Sequence, residues 1–225
     1  VEDVTIPASG FVGDATAHTP PEEQASGGAA VDLSAFDNSW YRPGGRARRA
    51  VWYACNTLFF KSSIPYPSVF KVALLKLFGG VAGRGVTIKP NVNIKFPWFL
   101  EIGDNVWLGE GAWIDNLADV KIGSNVCVSQ GAYLLTGNHD YKKVGFDLIV
   151  SPIVIEDGAW VGAKAIVCPG STLRTHAVLT AGSVISGDTR PWTIYSGNAA
   201  VPVRKRSVTR GGETAAAKAG TNAPR

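Results

Sequence analysis

The stretch IEDGAW-VGAKAI-VCPGST-LRTHAV-LTAGSV-ISGDTR, residues 155–190, decides how this chain folds. Written in sixes, every block opens on a branched aliphatic residue: Ile155, Val161, Val167, Leu173, Leu179 and Ile185. The fifth place is always small, held by Ala159, Ala165, Ser171, Ala177, Ser183 and Thr189. An amphipathic helix needs apolar spacing near 3.6 and a half-buried strand a spacing of 2, so a period of six fits neither. It fits a coiled parallel β-solenoid in which each block makes one short flat side. The aliphatic residues then fill a triangular interior, and the small fifth residues leave room beside the corners. Three blocks make one coil, so this stretch is two coils.

The period extends toward the N-terminus. It begins at Ile88 (IKPNVN, IKFPWF), reads as irregular through Leu100, and then runs through Ile102, Leu108 and Ile114. Val120 and Lys121 intervene before Ile122, Val128 and Leu134 resume it. Those two extra residues lengthen an eighteen-residue coil to twenty and stack Asn116 beneath Thr136. At His139 the pattern stops, and residues 140–152 (DYKKVGFDLIVSP) read as a loop leaving the rod, where binding groups tend to sit. Pro191-Trp192 is expected to end the rod, with residues 191–206 an extension beyond it.

The flanks read differently. Residues 1–33 and 207–225 are rich in small and polar residues without periodicity, as in a disordered arm and tail. Residues 34–85 read as a helical cap leading into a rod domain over residues 86–190. One helix, residues 46–60 (RARRAVWYACNTLFF), follows the breaker Pro43-Gly44-Gly45. A second, residues 69–78, follows Ser68 as its cap and ends at Gly79-Gly80. A stacked core must be covered at its open end, which accounts for two such apolar helices. The basic, aromatic first helix also suits peripheral contact with an anionic membrane surface.

Composition narrows the class. Of 225 residues, 45% are hydrophobic and 18% charged, which suits a buried core. No apolar run approaches the roughly 18 residues of a membrane span, and no secretory signal pattern opens the sequence. Cys55, Cys127 and Cys168 are scattered and odd in number, as expected of reduced cytoplasmic thiols. The net charge of +4 is concentrated near residues 42–49 and 204–210, which points to local anion contacts and not to a nucleic-acid surface.

His139 is the candidate catalytic residue, at the mouth of the loop beside Gly137-Asn138. Imidazole is the side chain best suited to proton transfer near neutral pH. Asn116, with Asp115 as second choice, stacks within reach of a group held by His139, unless it serves only as a rung between coils. His176 lies inside a regular block at a place that normally faces solvent. A zinc site is not expected, because the third histidine, His18, lies in the arm.

The six-residue repeats, with WIDNLADVKIG, SQGAYLLTGNHDY, AWVGAKAIVCPG and PWTIYSGNAA, resemble the left-handed β-helix acyltransferases. The likeness is nearest to the exopolysaccharide O-acetyltransferases of the colanic-acid type and covers about residues 36–206. That fold is an exception to the right-handed crossover rule. The resemblance implies an all-β solenoid, a left-handed parallel β-helix with an N-terminal helical cap and one protruding loop. It implies a homotrimer with acetyl-CoA as co-substrate, no permanently bound cofactor, and a sugar or lipid-linked glycan as acceptor. His139 matches the general base of the TG-x-H setting. Asn116 falls near the acceptor-binding asparagine. Trp160, Ala163, Ala181 and Ser186 match groove positions for pantetheine, and Arg204 matches an arginine near the nucleotide phosphates. Ala199 stands where GNPA-like motifs have proline, and Gly187 where relatives often carry lysine. The other readings are transfer to a different hydroxyl or amine, or a non-catalytic scaffold.

Overall fold

The computed structural model describes residues 32–141, 143–198 and 200–205. Nearly all of the expected arm, with His18, and the whole tail lie outside them, as do Ala199 and Arg206. The described chain is the expected parallel β-helix of about six coils with a helical N-terminal region. Its three walls hold five, seven and five strands. Ile88, Leu108, Val128, Val161 and Leu179 stack in register on one wall. Ile94, Ile114, Leu134, Val167 and Ile185 stack on the next. Ala82, Ile102, Ile122, Ile155 and Leu173 stack on the third. All fifteen are buried, which for each larger side chain is worth roughly 1.5–3 kcal/mol. The small fifth residues of the opening stretch are buried too. Coils approach so closely that a Cβ on Gly162 would lie 2.6 Å from the Ala181 nitrogen, so only glycine fits there.

Three expectations about the rod are corrected. The rod starts one side earlier, at Val81–Ala82, and residues 88–100 belong to a regular coil that also advances by twenty residues, as Ile94 pairing with Ile114 shows. Its extra residues form the 3₁₀ turn Pro97–Phe99 at the corner where Leu117 and Ala118 lie in the next coil. The long loop leaves from that same corner in the coil after. Stacked insertions at a single corner, the last the longest, are what raise the loop beside a rigid wall. Nor does Pro191-Trp192 end the rod: Thr193–Ser196 pairs in parallel with Val178–Leu179, and Val201–Lys205 folds back antiparallel over it. That return covers an edge that would otherwise offer unpaired backbone.

The helices close the other end. Helix α1, Arg46–Cys55, runs on into a π-helical turn, Asn56–Phe60, and α2 spans Ser68–Leu77. In the first coil the N–H and C=O of Ile88 and Ile94 have no preceding coil to meet. Side chains of the cap take that place. Ile88 N–H donates to Ser68 Oγ (3.0 Å), and its carbonyl accepts from Lys71 Nζ (3.4 Å). Ile94 N–H donates to Asn56 Oδ1 (3.4 Å), and its carbonyl accepts from Trp52 Nε1 (2.9 Å). Ser68 therefore does not cap α2, as its sequence position suggested; it is the first helical residue, and its hydroxyl serves the rod. Burial holds the Lys71 ammonium below its ordinary pKa, and a second bond to the Lys89 carbonyl (3.0 Å) supports its charge. Gly79 and Gly80 end α2 as expected, with Gly80 N–H donating to the Leu75 carbonyl (2.9 Å). Among the described residues no helix is long and apolar enough to cross a membrane.

Candidate active site

The loop is anchored as a hairpin. Gly137–His139 pairs antiparallel with Leu148–Val150, so His139 stands opposite Leu148 at the last rung before the chain turns away. Its imidazole stacks on Phe146 (centroids 4.4 Å apart, 9° between planes) and meets the Phe36 ring at 5.8 Å. Phe146 sits in the left-handed region (φ 52°), rare for so bulky a residue. That conformation goes with a carbonyl placed 2.8 Å from His139 Nδ1. A carbonyl can only accept, so Nδ1 carries a proton and Nε2 is the basic nitrogen of the neutral ring. Such a fixed tautomer is what a general base requires.

Phe36 comes from the segment before α1. Its docking is made by Asp32 N–H donating to the Val144 carbonyl (2.9 Å) and by Tyr41 Oη donating to the Leu117 carbonyl (2.6 Å). Burial first, and then the nearby Asp115 carboxylate, push the Tyr41 phenol far above its ordinary pKa, with Arg49 opposing them. Tyr41 therefore stays a donor. Leu117 in turn packs against Gly137, where a Cβ would collide with its side chain. Residues 32–41 thus brace both the loop and the corner beneath it, a role that no local sequence pattern announced.

Asn116 and Asp115 take different parts. Asn116 is completely buried under Thr136, as the twenty-residue step predicted. Its Oδ1 accepts from Phe96 N–H (3.0 Å) and its Nδ2 donates to the Phe96 carbonyl (2.5 Å), so its amide is used as a rung between coils. It does not turn toward His139. Asp115 accepts from Tyr133 Oη (3.1 Å), and Lys95 Nζ lies 2.9 Å from its other oxygen, off the line of a hydrogen bond. Burial and the Asp115 charge push the Tyr133 phenol up to about 12.

The expected donor residues lie farther along the rod. Trp160 is about half exposed on the wall above Cys127 and Trp107, its Nε1 donating to Ser129 Oγ (2.8 Å). Ala163 and Ala181 occupy one corner in successive coils, linked where Gly182 N–H donates to the Ala163 carbonyl (2.8 Å). Ser186 lies at the following corner, and Arg204 sits on the final strand opposite Ile194. The Arg204 side chain lies outside what the structure describes. Among the described residues no three His, Cys, Asp or Glu groups gather as metal ligands would. His176 instead bonds the Asp157 carbonyl through Nδ1 (2.9 Å) and meets Trp192 edge-on.

Residues 152–186 match the family model described as the hexapeptide repeat of succinyl-transferase. Over 176 residues the chain is 33% identical to the putative colanic acid biosynthesis acetyltransferase WcaF of Escherichia coli, covering 78% of this chain and 97% of that protein. It is 27% identical to the galactoside O-acetyltransferase of Escherichia coli, over 66% of this chain and 74% of the relative. The fold matches a hexapeptide-repeat acetyltransferase of Vibrio cholerae, solved with acetyl coenzyme A, at a TM-score of 0.64 and 23% identity, covering 72% of this chain and 88% of that one. Identity of this level, sustained over almost the whole of the colanic-acid relative, makes the chain a member of the hexapeptide-repeat acetyltransferases.

Proposed function

We propose that this acetyltransferase moves an acetyl group from acetyl-CoA to a saccharide hydroxyl in exopolysaccharide assembly, with His139 as general base. The observation that carries the reading is the bond from His139 Nδ1 to the Phe146 carbonyl, which leaves Nε2 as the proton acceptor. Nε2 takes the hydroxyl proton as the sugar oxygen attacks the thioester carbon. The C–S bond then breaks, and the CoA sulfur receives the proton from the imidazolium. One acetyl ester and one CoA thiol result, with no acyl-enzyme. Backbone N–H groups stabilise the oxyanion. Asp115 serves the acceptor side, and Asn116 supports it from within the rod.

The names of the colanic-acid and galactoside relatives both specify carbohydrate chemistry, which supports a sugar hydroxyl, and the acetyl-CoA complex of the Vibrio protein supports the same donor. A lipid-linked glycan is compatible with peripheral membrane contact by the cap, on which Leu58, Ile64, Val69 and Leu77 are exposed. Free cysteines and an acetyl-CoA donor fit the cytoplasm. The test is mass spectrometry of lipid-linked glycans incubated with protein and acetyl-CoA. Gain of one acetyl unit that requires both is the expected result; unchanged glycans across a broad panel would contradict it.

The donor groove is read as lying between rods of a homotrimer, because one rod presents only one wall and exposes Trp107 and Trp160 on it. Light scattering should give three times the chain mass; an active monomer would overturn this. Trp160, Ala163, Ala181 and Ser186 would line the groove, and Arg204 would fork onto the CoA phosphates. Such contacts, remote from the thioester, bind ground and transition states alike. Arg204→Ala should therefore raise the KM for acetyl-CoA about five- to thirtyfold with kcat nearly unchanged, the loss of a partly exposed charged hydrogen bond worth roughly 1–2 kcal/mol. An unchanged KM at low and moderate salt would assign Arg204 to a solvated tail.

A further inference from the structure

Between α1 and the outer face of the first two coils lies a cleft of about 420 Å³ that none of the steps above uses. Three cations line it, Arg49, Lys61 and Lys95, and no carboxylate does. Lys95 is balanced by Asp115 just outside. Among the described residues neither Arg49 nor Lys61 forms an ion pair with a carboxylate. Arg49 Nε is buried, and no group of the described chain accepts its N–H. A desolvated guanidinium donor without an acceptor is costly, and its natural complement is an oxyanion supplied from outside. Trp113, held flat against Tyr133 (4.6 Å, 17°), and Tyr53 add aromatic surface of the kind that lines sugar-sized sites.

The cleft is joined to the catalytic corner by contacts already described. Lys95 reaches Asp115; Tyr41, under the charges of both Arg49 and Asp115, donates to Leu117; Leu117 packs on Gly137, which opens the strand ending at His139. We propose that the cleft holds an oxyanion carried by the acceptor, so that this enzyme acts on anionic saccharides. This rests on the reading of His139 as base toward a sugar hydroxyl. The anionic group anchors on Arg49 and Lys61 while another part of the same glycan presents its hydroxyl at the loop. The shared chemistry is an oxyanion on a sugar, which has two sources: a uronate within the glycan, or the phosphate that links the sugar to its carrier.

The test measures binding, so it is independent of transfer. Methyl glucuronide, glucose 1-phosphate and neutral methyl glucoside are titrated into the full chain by calorimetry without acetyl-CoA. At least one anionic probe should bind at least about tenfold more tightly than the neutral one, and the preferred probe identifies the source. Arg49→Gln and Lys61→Gln, chosen because glutamine removes the charge and, at Arg49 within α1, keeps the helix propensity, should each erase most of that preference with an unchanged Tm. Equal affinity for all three probes, or a preference that survives both substitutions, would overturn the proposal. Failure of acetyl transfer with the preference intact would count against the catalytic reading alone.

Discussion

Replacing His139 by alanine is expected to lower acetyl transfer by at least about 10²–10⁴-fold, the usual contribution of a positioned general base. The loss should fall on kcat and kcat/KM together, because the proton moves only as the transition state forms. KM for acetyl-CoA should hardly change, since the residues proposed to hold the donor lie in later coils of the rod, outside the hairpin that carries His139. The fold should persist. His139 lies on the two-stranded hairpin outside the wall sheets, and its ring meets Phe146 and Phe36, not the triangular core. Circular dichroism and an unchanged oligomeric state check that point. Transfer within about threefold of the parent would remove His139 from the chemistry.

Trp52→Ala should produce the largest loss of stability, about 3–5 kcal/mol, as expected for emptying a buried tryptophan site. Trp52 is 1% exposed and sits edge-on to Phe60 and tilted against Phe78, at 5.2 Å from each. It also donates to the Ile94 carbonyl on the open edge of the first coil. Alanine would leave a cavity and an unpaired carbonyl at once, and the first coil would lose one of the four bonds that stand in for a missing neighbour. Tyr53→Ala is the control: its side chain is exposed, so its change should stay within about 0.5 kcal/mol. Urea unfolding at fixed protein concentration measures both. A loss below about 1 kcal/mol for Trp52→Ala would mean that the helices decorate the rod and do not close it.

The rod was legible because its signal is repeated: a branched aliphatic residue every six places cannot be satisfied by a helix or an ordinary strand. The twenty-residue step could also be counted, and it put Asn116 under Thr136 as found. What the count could not give was the direction of a side chain. Asn116 and Asp115 are adjacent, yet one bonds the Phe96 backbone and the other faces Tyr133 and Lys95. Ser68 misled for a similar reason. A serine at the start of a helix reads as a cap, but here its hydroxyl is taken by the exposed edge of the β-helix, a partner twenty residues away. The regularity of residues 88–100 was hidden by Pro97–Phe99, which occupies the same corner as the later insertions. His139 stood out by position alone. Its tautomer, fixed by a carbonyl seven residues on, and the cationic cleft beside α1 are products of tertiary contact, with no local pattern to announce them.

The central claim, direct transfer of an acetyl group from acetyl-CoA to a saccharide hydroxyl, is tested most directly by following a labelled acetyl group. The protein is incubated with acetyl-CoA labelled in the acetyl carbon and with a saccharide acceptor, and label and free thiol are counted together. The expected result is one CoA thiol released for each labelled acetyl ester on the sugar, with none on the protein. Thiol release that does not depend on the saccharide, or label held by the protein as an acyl intermediate, would contradict it.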